Sequence, residues 1–349
     1  MVLKKIGPTG ALVNGKESRS LALIIPIPCG KAESGKPCHH CAFHKTGQKI
    51  LSPDKLLAEF EVAFQDSKNV PPNTNRVELL SCGSLLDANF IQFGHILKIV
   101  QMAAMRGYTE IVIETRPEYI TSEIVSVLSG IAGASFLRFA MGIESWDDRV
   151  RNQIIGKAIS KKEIFRVMTL FEEYGVGAWW YTFLKPLGLS EHDAVVDCVD
   201  TVRQCSLLFP NVDTVFALQP AFIAEGSDFY LKAYSANYLP PFLWSVIEFL
   251  KRVHSAEFIR QLNRKLPPKI FIGLSDENLS SSNYVKNCPD CSDRIYHLLD
   301  GDYNRTQDLR LFDGIDCSCK HDWDDIFSGR KIETYENSIS CWNTDILKV

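Results

Sequence analysis

The sequence predicts an α/β protein in which strands alternate with helices, followed by a cysteine-bearing tail. Apolar, β-branched runs recur along the first two thirds of the chain, with amphipathic stretches between them. Polar side chains stand at the ends of these runs, and cysteines group behind the first run and near the end of the chain. With 349 residues and 46% hydrophobic content, the chain is long enough to bury one large core, or one core and a small appendage.

Six apolar runs have the length and composition of strands: 21–28, 77–82, 110–116, 136–145, 177–185 and 212–220. Five amphipathic stretches between them have helical length: 53–65, 91–106, 122–131, 161–174 and 191–208. Strands that alternate with helices pair in parallel through right-handed crossovers, which predicts an open doubly wound sheet or a full or partial barrel. The loops at the carboxyl ends of the strands would then form the active site.

Three parts are predicted along the chain: a polar N-terminal extension over 1–20, a β/α domain over 21–240 and a C-terminal region over 241–349. A polar, serine-rich turn at 275–283 is expected to precede the cysteine-bearing tail. The extension lacks the apolar segment of a signal peptide, and no stretch approaches a membrane span. Eleven cysteines without such a signal indicate metal ligands and thiols in a reducing cytoplasm. The net charge of −4 gives no global attraction to nucleic acid.

Cys29, Cys38 and Cys41 follow the first apolar run in a Cys-x8-Cys-x2-Cys arrangement. A closed zinc site uses four protein ligands, whereas a three-cysteine 4Fe-4S cluster leaves one iron open to bind another molecule. The spacing favours the cluster, because a structural zinc directly after the first strand of a β/α enzyme would be unusual. The alternative is a zinc knuckle completed by one of three nearby histidines: His39, His40 or His44.

Polar residues stand at the carboxyl end of each predicted strand, where they would surround one mouth. They are Cys29, Ser81 to Ser84, Glu114 to Arg116, Glu144, Lys185 and Gln219. Singly, each of them could be a charged or polar residue that favours solubility. The fifth predicted strand contains the run Trp179, Trp180, Tyr181. One face of this run should line the barrel interior, and the other should pack under the helices.

A second group of cysteines lies in the C-terminal region: Cys288, Cys291, Cys317 and Cys319. Two close pairs suit a tetrahedral metal, which predicts either a structural zinc or an auxiliary 4Fe-4S cluster. The remaining cysteines are interpreted as structural thiols: Cys82, Cys198, Cys205 and Cys341.

The three-cysteine loop, with the ring of His40 before the last cysteine and Phe43 after it, resembles the radical SAM superfamily. The first gap departs from the usual pattern, since it has eight residues instead of three. The resemblance implies a partial (β/α)6 TIM-like barrel and a 4Fe-4S cluster that binds S-adenosylmethionine (SAM). It also implies an external one-electron reductant, such as flavodoxin or ferredoxin, and a 5′-deoxyadenosyl radical that abstracts hydrogen from the substrate.

The same resemblance implies roles for residues at the strand ends. Gly83 and Ser84 occupy the place of the glycine-containing motif that contacts the methionyl amino group, although an ordinary β/α turn with Asp87 as helix cap is an equal alternative. Glu144 looks like the cofactor-contacting residue of the fourth strand, and Arg149 or Arg151 could pair with its carboxylate; the alternative is a surface salt bridge to Asp147 or Asp148. His40, Phe43, Glu114, Lys185 and Gln219 complete the set of expected cofactor or substrate contacts.

Four motifs narrow the resemblance: 82–87 (CGSLLD), 114–118 (ETRPE), 142–145 (GIES) and 184–187 (LKPL). They are similar to the Elp3-like and MiaB-like branch, and most similar to the archaeosine-synthase radical SAM subunit family, from about residue 21 to the cysteine tail. That family implies cleavage of a lysine adduct on a deazaguanine base in tRNA, alongside a partner subunit that attaches the lysine. The alternatives are a tailoring enzyme acting on a small metabolite, with sulfur insertion from an auxiliary cluster, and a non-catalytic zinc-binding interaction protein.

Overall fold

The computed structural model describes residues 4–13, 16–45, 52–65, 73–224, 227–236, 238–274 and 287–332. Its centre is one eight-stranded sheet in which the strands lie side by side in chain order. The strands are β1 (Lys4–Val13), β2 (Lys16–Ile25), β3 (Thr74–Ser81), β4 (Glu110–Glu114), β5 (Phe136–Glu144), β6 (Gly177–Leu184), β7 (Thr214–Pro220) and β8 (Lys269–Ile272).

Strands β2 to β8 are parallel, and the sheet curls into a half-barrel. The predicted α/β class and partial barrel are therefore confirmed. The number of parallel strands is seven, because β8 adds a short strand beside β7 to the six strands of the predicted barrel.

The segment 1–20, predicted as a polar N-terminal extension, contains β1 and the first part of β2. These two strands pair antiparallel, with Val13 opposite Lys16. The dipeptide Asn14-Gly15 stands between them in the sequence, and such a pair is a strong hairpin indicator. The polar character of this segment suits an edge strand, which needs backbone pairing more than an apolar face.

Helices connect the parallel strands and continue into the C-terminal region. They are α1 (Gly30–Glu33), α2 (Pro53–Gln65), α3 (Phe93–Met105), α4 (Ser122–Ala132), α5 (Lys161–Tyr174), α6 (Glu191–Leu208), α7 (Asp228–Ser235), α8 (Leu243–Val253), α9 (Ala256–Gln261), α10 (Ser292–His297), α11 (Asn304–Thr306) and α12 (Ser318–Phe327). The capping residues are those the sequence favours, since the side chains of Thr121, Ser160 and Ser190 accept hydrogen bonds from the first turns of α4, α5 and α6.

The two faces of the sheet differ in chemistry. Trp180 points outward into the large apolar core between strands and helices, whereas Trp179 lies on the concave face with Phe271. The predicted alternation of this aromatic run is thus confirmed. The concave face also holds charge, because the Arg76 guanidinium lies 4.8 Å from the centre of the Trp179 ring.

Ion pairs cross the sheet at the amino ends of the strands. The carboxylate of Glu110 accepts from Arg138 Nε at 2.7 Å and lies 3.8 Å from Arg76. Arg138 also contacts Asp213 at 3.2 Å, and Asp213 pairs with Lys269 at 2.9 Å. These charges lie at the end of the half-barrel opposite the carboxyl-end loops, so they support the sheet rather than the candidate site.

The described part of the C-terminal region shares the apolar core of the barrel, through Ile295, Tyr303 and Trp323 among others. The predicted turn at 275–283 and Cys341 lie outside the described residues. Among the helices that the structure describes, none has the length and apolar content needed to cross a membrane.

Candidate functional site

The three N-terminal cysteines lie in the loop that leaves the carboxyl end of β2. Cys29 precedes α1, and the backbone N–H of Cys41 donates to the carbonyl of Cys38 at 3.1 Å. All three side chains are half-buried. Burial, together with smaller contributions from the neighbouring thiols of Cys38 and Cys29, raises the pKa of Cys41 to about 12. The loop thus gathers three thiols in a place where thiolates need a compensating positive charge.

His39 anchors this loop to the segment that follows β5. Its backbone N–H donates to the carbonyl of Ile155 at 2.9 Å, and its ring Nδ1 lies 2.7 Å from the carbonyl oxygen of Ile154. Its own carbonyl accepts from the N–H of Phe229 at 2.8 Å. His39 therefore works as a structural tie across the mouth, which weakens the zinc-knuckle alternative.

His40 and Phe43 flank the last cysteine. The His40 ring packs against Phe183 with centroids 4.5 Å apart, and burial lowers the pKa of His40 to about 4, so the ring is neutral near pH 7. The backbone amide of Phe43 donates a hydrogen bond to the sulfur of Cys41. Both residues thus lie at the cysteine loop, where the sequence predicts them.

A cavity of about 230 Å³ opens beside the cysteine loop. Its lining includes His39, His40, Phe183, Leu187, Phe229 and Lys232. Most of the wall is apolar, which suits exclusion of water next to the thiols.

Gly83 brings the turn after β3 against the cysteine loop. A Cβ at this position would lie 2.7 Å from the carbonyl carbon of Pro28 and 2.9 Å from the Cα of Cys29, closer than any side chain tolerates. Ser84, the next residue, hydrogen-bonds Thr115 at 2.6 Å and accepts from the N–H of Arg116 at 3.2 Å. Glycine is therefore required by a close backbone approach at the mouth.

Glu114 and Asp87 fix neighbouring loops. The Glu114 carboxylate accepts from the backbone N–H of Ser81 at 2.7 Å, which ties the ends of β3 and β4 together. Asp87 is buried and accepts from the hydroxyl of Tyr119 at 2.8 Å. Asp87 also accepts from the backbone N–H of Asn89 at 3.1 Å, so it holds the turn, but it is not the helix cap that the simpler alternative predicts, because α3 begins at Phe93 with Gln92 at its N-cap.

Glu144 pairs with Lys157, a residue that sequence reasoning did not select. Their charged atoms are 2.6 Å apart, and both side chains are largely buried. Glu144 has a φ of +63°, a conformation that costs a non-glycine residue about 1–3 kcal/mol and often marks a functional position. Gly142 leaves room for the pair, because a Cβ there would meet both charged groups.

The predicted arginine partners of Glu144 are elsewhere. Arg149 is exposed on the π-helical turn Arg149–Ile154. Arg151 is fully buried, but it donates to the carbonyls of Ser145 at 2.8 Å and Ile159 at 2.8 Å, so it caps loop backbone instead. The π-helical turn carries both guanidinium groups away from the mouth, whereas the loop after it returns to the mouth at Lys157. Lys157 therefore pairs with Glu144 in place of an arginine.

Lys157 and Arg116 supply positive charge beside the thiols. Burial lowers the pKa of Lys157, but Glu144 and then Cys38 raise it more strongly, so the ammonium stays charged. Arg116 donates to the carbonyl of Lys157 at 3.0 Å and pairs with Glu118. Burial lowers the pKa of Arg116, but Glu118 and then the thiols of Cys38 and Cys29 together raise it more. The arrangement suits a negatively charged thiolate centre.

Lys185 and Gln219 are not gathered at the thiols. Lys185 is buried and its ammonium lies 2.5 Å from Glu191 at the start of α6, so its side chain serves the packing of β6 on the helices. Gln219 lies half-buried near the end of β7, over the backbone of Gly273. Both remain expectations drawn from their positions at strand ends.

The four C-terminal cysteines form a second group, in which all sulfur atoms lie within 4.8 Å of one another and can hold a metal ion. Cys82, Cys198 and Cys205 are buried cysteines outside both groups. Burial raises the pKa of both Cys198 and Cys205, which suits the inert structural role predicted for them.

The donor set at the N-terminal loop fits the cofactors that the resemblance implies. Three thiols leave one position of a cluster without a protein ligand, and Lys157 and Arg116 offset negative charge. Gly83 lets the turn after β3 approach the same loop closely, and the buried carboxylate of Glu144, paired with Lys157, lies near His40 of that loop.

Comparisons with known proteins agree with this geometry. The chain is 25% identical to the archaeosine synthase subunit beta of Methanosarcina acetivorans over 89% of this chain and 86% of that protein. It is 26% identical to the archaeosine synthase subunit beta of Thermococcus kodakarensis over 89% of this chain and 93% of that protein. No protein-family model matches the chain.

Among solved structures, the SuiB protein of Streptococcus suis bound to S-adenosylmethionine is similar at a TM-score of 0.50. The match covers 73% of this chain and 50% of SuiB, with 14% sequence identity, so it supports the fold alone. The curated relatives confirm the resemblance to the archaeosine-synthase subunit family that the sequence motifs predict.

Proposed function

We propose that this protein is a radical SAM enzyme whose reaction centre lies at Cys29, Cys38 and Cys41. The observation that supports it best is the convergence of three half-buried thiols with the Glu144–Lys157 pair at one mouth of a parallel half-barrel. When bound, a 4Fe-4S cluster and SAM supply reductive cleavage of the sulfonium and a 5′-deoxyadenosyl radical, with the electron coming from a flavodoxin or ferredoxin. The similarity to archaeosine synthase subunit beta over most of both chains supports the same conclusion.

In this proposal the protein's own residues bind the cluster, orient the cofactor and shield both from water. The three thiolates hold the cluster, and Lys157 and Arg116 offset its negative charge. Glu144 accepts a hydrogen bond from the cofactor, and the backbone near Gly83 accepts from an ammonium group. His40 is neutral and packs on Phe183, so it covers the thiols without adding charge.

For the substrate, we propose a lysine adduct on a deazaguanine base in tRNA, with cleavage of a carbon–nitrogen bond of the adduct. The support is the name that both curated relatives share, archaeosine synthase subunit beta, which also implies a partner subunit. The charge of the chain fits a partnership, since a net −4 does not by itself attract a phosphate backbone. A second subunit would then supply much of the affinity for RNA.

Release of 5′-deoxyadenosine tests the radical chemistry. The anaerobically reconstituted protein should release it from SAM in the presence of dithionite, and the Cys38→Ala variant should not. Cys205→Ala is the matched control, because it removes a buried thiol of α6 that lies away from the mouth, and it should keep the activity. Equal release by the wild type and Cys38→Ala would contradict the proposal.

Substrate choice is tested separately with tRNA carrying the lysine adduct. We expect conversion of the modified base by the protein together with its partner subunit, and no conversion of the free adduct nucleoside. Binding should weaken steeply with salt, as for any contact to phosphates. Conversion of the nucleoside alone, with no RNA dependence, would favour a small-metabolite substrate and leave the radical mechanism intact.

A further inference from the structure

The four cysteines of the C-terminal region have the spacing of ligands to a single ion. The sulfurs of Cys288 and Cys291 are 3.7 Å apart, those of Cys288 and Cys317 are 3.3 Å apart, and those of Cys291 and Cys319 are 3.6 Å apart. A disulfide would need about 2.0 Å. Four Zn–S bonds of roughly 2.3 Å in a tetrahedron place the sulfurs about 3.8 Å apart. The measured separations therefore match one tetrahedral ion.

The same separations argue against an auxiliary 4Fe-4S cluster. In such a cluster each thiolate ligates a different iron, so the cluster itself keeps the sulfurs apart. Among the residues that the structure describes, Cys29, Cys38 and Cys41 do not meet the 4.8 Å spacing that the tail cysteines share. The chain thus has two cysteine groups: the sulfurs of the N-terminal group are farther apart, and those of the C-terminal group are close enough to bind one ion.

We infer that Cys288, Cys291, Cys317 and Cys319 bind one zinc ion in a closed structural site. Four protein thiolates fill a tetrahedral coordination sphere, which leaves no position for a substrate or for sulfur transfer. The inference does not depend on the proposed radical reaction, because it rests on the tail alone. It removes the structural basis for sulfur insertion by an auxiliary cluster.

Two groups near the sulfurs can stabilise negative charge on them. The indole N–H of Trp244 donates to the sulfur of Cys319 at 3.2 Å. Cys317 stands at the N-cap of the ten-residue helix α12, and Cys319 lies in its first turn, where the helix dipole stabilises negative charge. Cys288, Cys291 and Cys319 are largely shielded from water, with 6%, 5% and 3% of their surface exposed, so thiolates at these positions need a bound cation to offset their charge.

Hydrogen bonds connect α12 to the barrel and give the ion a structural task. The indole N–H of Trp323 in α12 donates to the hydroxyl of Ser245 in α8 at 2.8 Å, and Ser245 donates to the buried carboxylate of Glu191. Glu191 in turn pairs with Lys185, which follows the end of β6. An ion that fixes the start of α12 therefore stabilises the helices that support one strand of the mouth.

Metal analysis of a variant that lacks the N-terminal ligands tests the inference. In Cys29→Ala/Cys38→Ala/Cys41→Ala we expect about one zinc per chain, no sulfide, and a zinc X-ray absorption spectrum with four sulfurs at about 2.3 Å. Iron with matching sulfide in this variant would overturn the inference in favour of a cluster. One iron without sulfide, or no metal in the folded protein, would overturn it as well.

A change at the tail separates the two sites. Cys291→Ser should lose the zinc, whereas the matched change Cys205→Ser, at a buried cysteine of α6, should keep it. If Cys291→Ser does not fold, the metal content of the triple alanine variant still decides the question. Retention of one zinc per chain in folded Cys291→Ser would contradict the four-cysteine site.

Discussion

At the scale of single residues, the mouth contains a buried ion pair between Glu144 and Lys157. The two charges are 2.6 Å apart, and 6% and 15% of the respective side-chain surfaces are exposed. A buried charge is tolerated only while its partner is present, since water no longer compensates it. Lys157 therefore matters both for the stability of the loops and for the charge that faces the thiols.

Replacing Lys157 tests the pair. The Lys157→Met variant leaves the Glu144 carboxylate buried without a cation, which should lower the free energy of unfolding by about 3–5 kcal/mol. The double variant Lys157→Met/Glu144→Gln removes both charges and should recover most of the loss. Urea denaturation under anaerobic conditions measures both. A single variant as stable as the wild type would show that the pair contributes nothing to the fold.

Gly83 controls the distance between two backbones at the mouth. The Gly83→Ala variant must push the turn after β3 away from Pro28 and Cys29. A displacement of this kind should cost on the order of 100-fold in SAM cleavage. Gly94→Ala is the matched control, because no atom lies within 4 Å of its added Cβ and α3 gains a better helix former. Equal rates of 5′-deoxyadenosine release in both variants would contradict the role of Gly83.

The positions of the mouth residues follow from the strands, but their pairings do not. The order of apolar runs places Cys29, Glu114 and Glu144 at carboxyl strand ends, because parallel strands bring those ends together. The pairing of Glu144 with Lys157 depends on the path of the loop between β5 and α5. No periodicity in the sequence encodes that path, and the nearer Arg149 and Arg151 are the obvious but wrong choices.

At the scale of elements, the ion pairs at the amino ends of the strands hold the half-barrel together. Arg138 on β5 bridges Glu110 on β4 and Asp213 just before β7, so its contacts reach past β6, which lies between β5 and β7. Glu110 is almost fully buried. These ion pairs lie at the end of the half-barrel away from the thiols, so we expect them to affect the stability of the sheet and not the reaction.

Removal of the Arg138 guanidinium should therefore destabilise the sheet and spare the reaction. Arg138→Met is expected to lower the free energy of unfolding by about 3 kcal/mol, because it leaves Glu110 buried and less well paired. The folded fraction should keep its rate of SAM cleavage. The matched change Arg310→Met breaks an exposed pair with Asp308 and should leave stability unchanged. Equal unfolding midpoints for the two variants would contradict this role of Arg138.

The end of α8 carries a pH-dependent contact. His254 lies 2.8 Å from the hydroxyl of Tyr303, and burial lowers the pKa of His254 from 6.5 to about 4. Between these values the unfolded chain binds a proton that the folded protein excludes. Stability from this group therefore falls as the pH decreases through that range.

A variant isolates the contribution of His254. Between about pH 7.5 and about pH 4.5, the wild type should lose more unfolding free energy than His254→Gln, which does not titrate. Denaturant unfolding at the two pH values gives the difference. An identical pH dependence for the two proteins would mean that His254 titrates alike in the folded and unfolded states.

The elements themselves were largely predictable. Period-2 apolar runs and capped amphipathic stretches predict the strands β2 to β7 and the helices between them to within a few residues. Strand β1 was missed, because its mixed sequence Lys4–Val13 lacks an apolar alternation and obtains its structure from pairing with β2. The π-helical turn Arg149–Ile154 was missed for a similar reason, since tertiary contacts of Arg151 hold it.

At the scale of the whole molecule, the two cysteine groups have different proposed roles, one in the reaction and one in the stability of the fold. The N-terminal group follows the carboxyl end of β2, and the C-terminal group lies at the starts of α10 and α12. The spacing of cysteines along the chain could predict both groups but not their metals. Only the distances between the sulfurs in space separate a single ion from a cluster.

The central claim is that Cys29, Cys38 and Cys41 hold a cluster that binds SAM. The measurement that tests it most directly is electron paramagnetic resonance of the anaerobically reconstituted protein, reduced with dithionite, with and without SAM. We predict the signal of a reduced 4Fe-4S cluster that changes when SAM is added and that is lost in Cys29→Ala/Cys38→Ala/Cys41→Ala. A wild-type protein without such a signal, or with one that SAM leaves unchanged, would contradict the account.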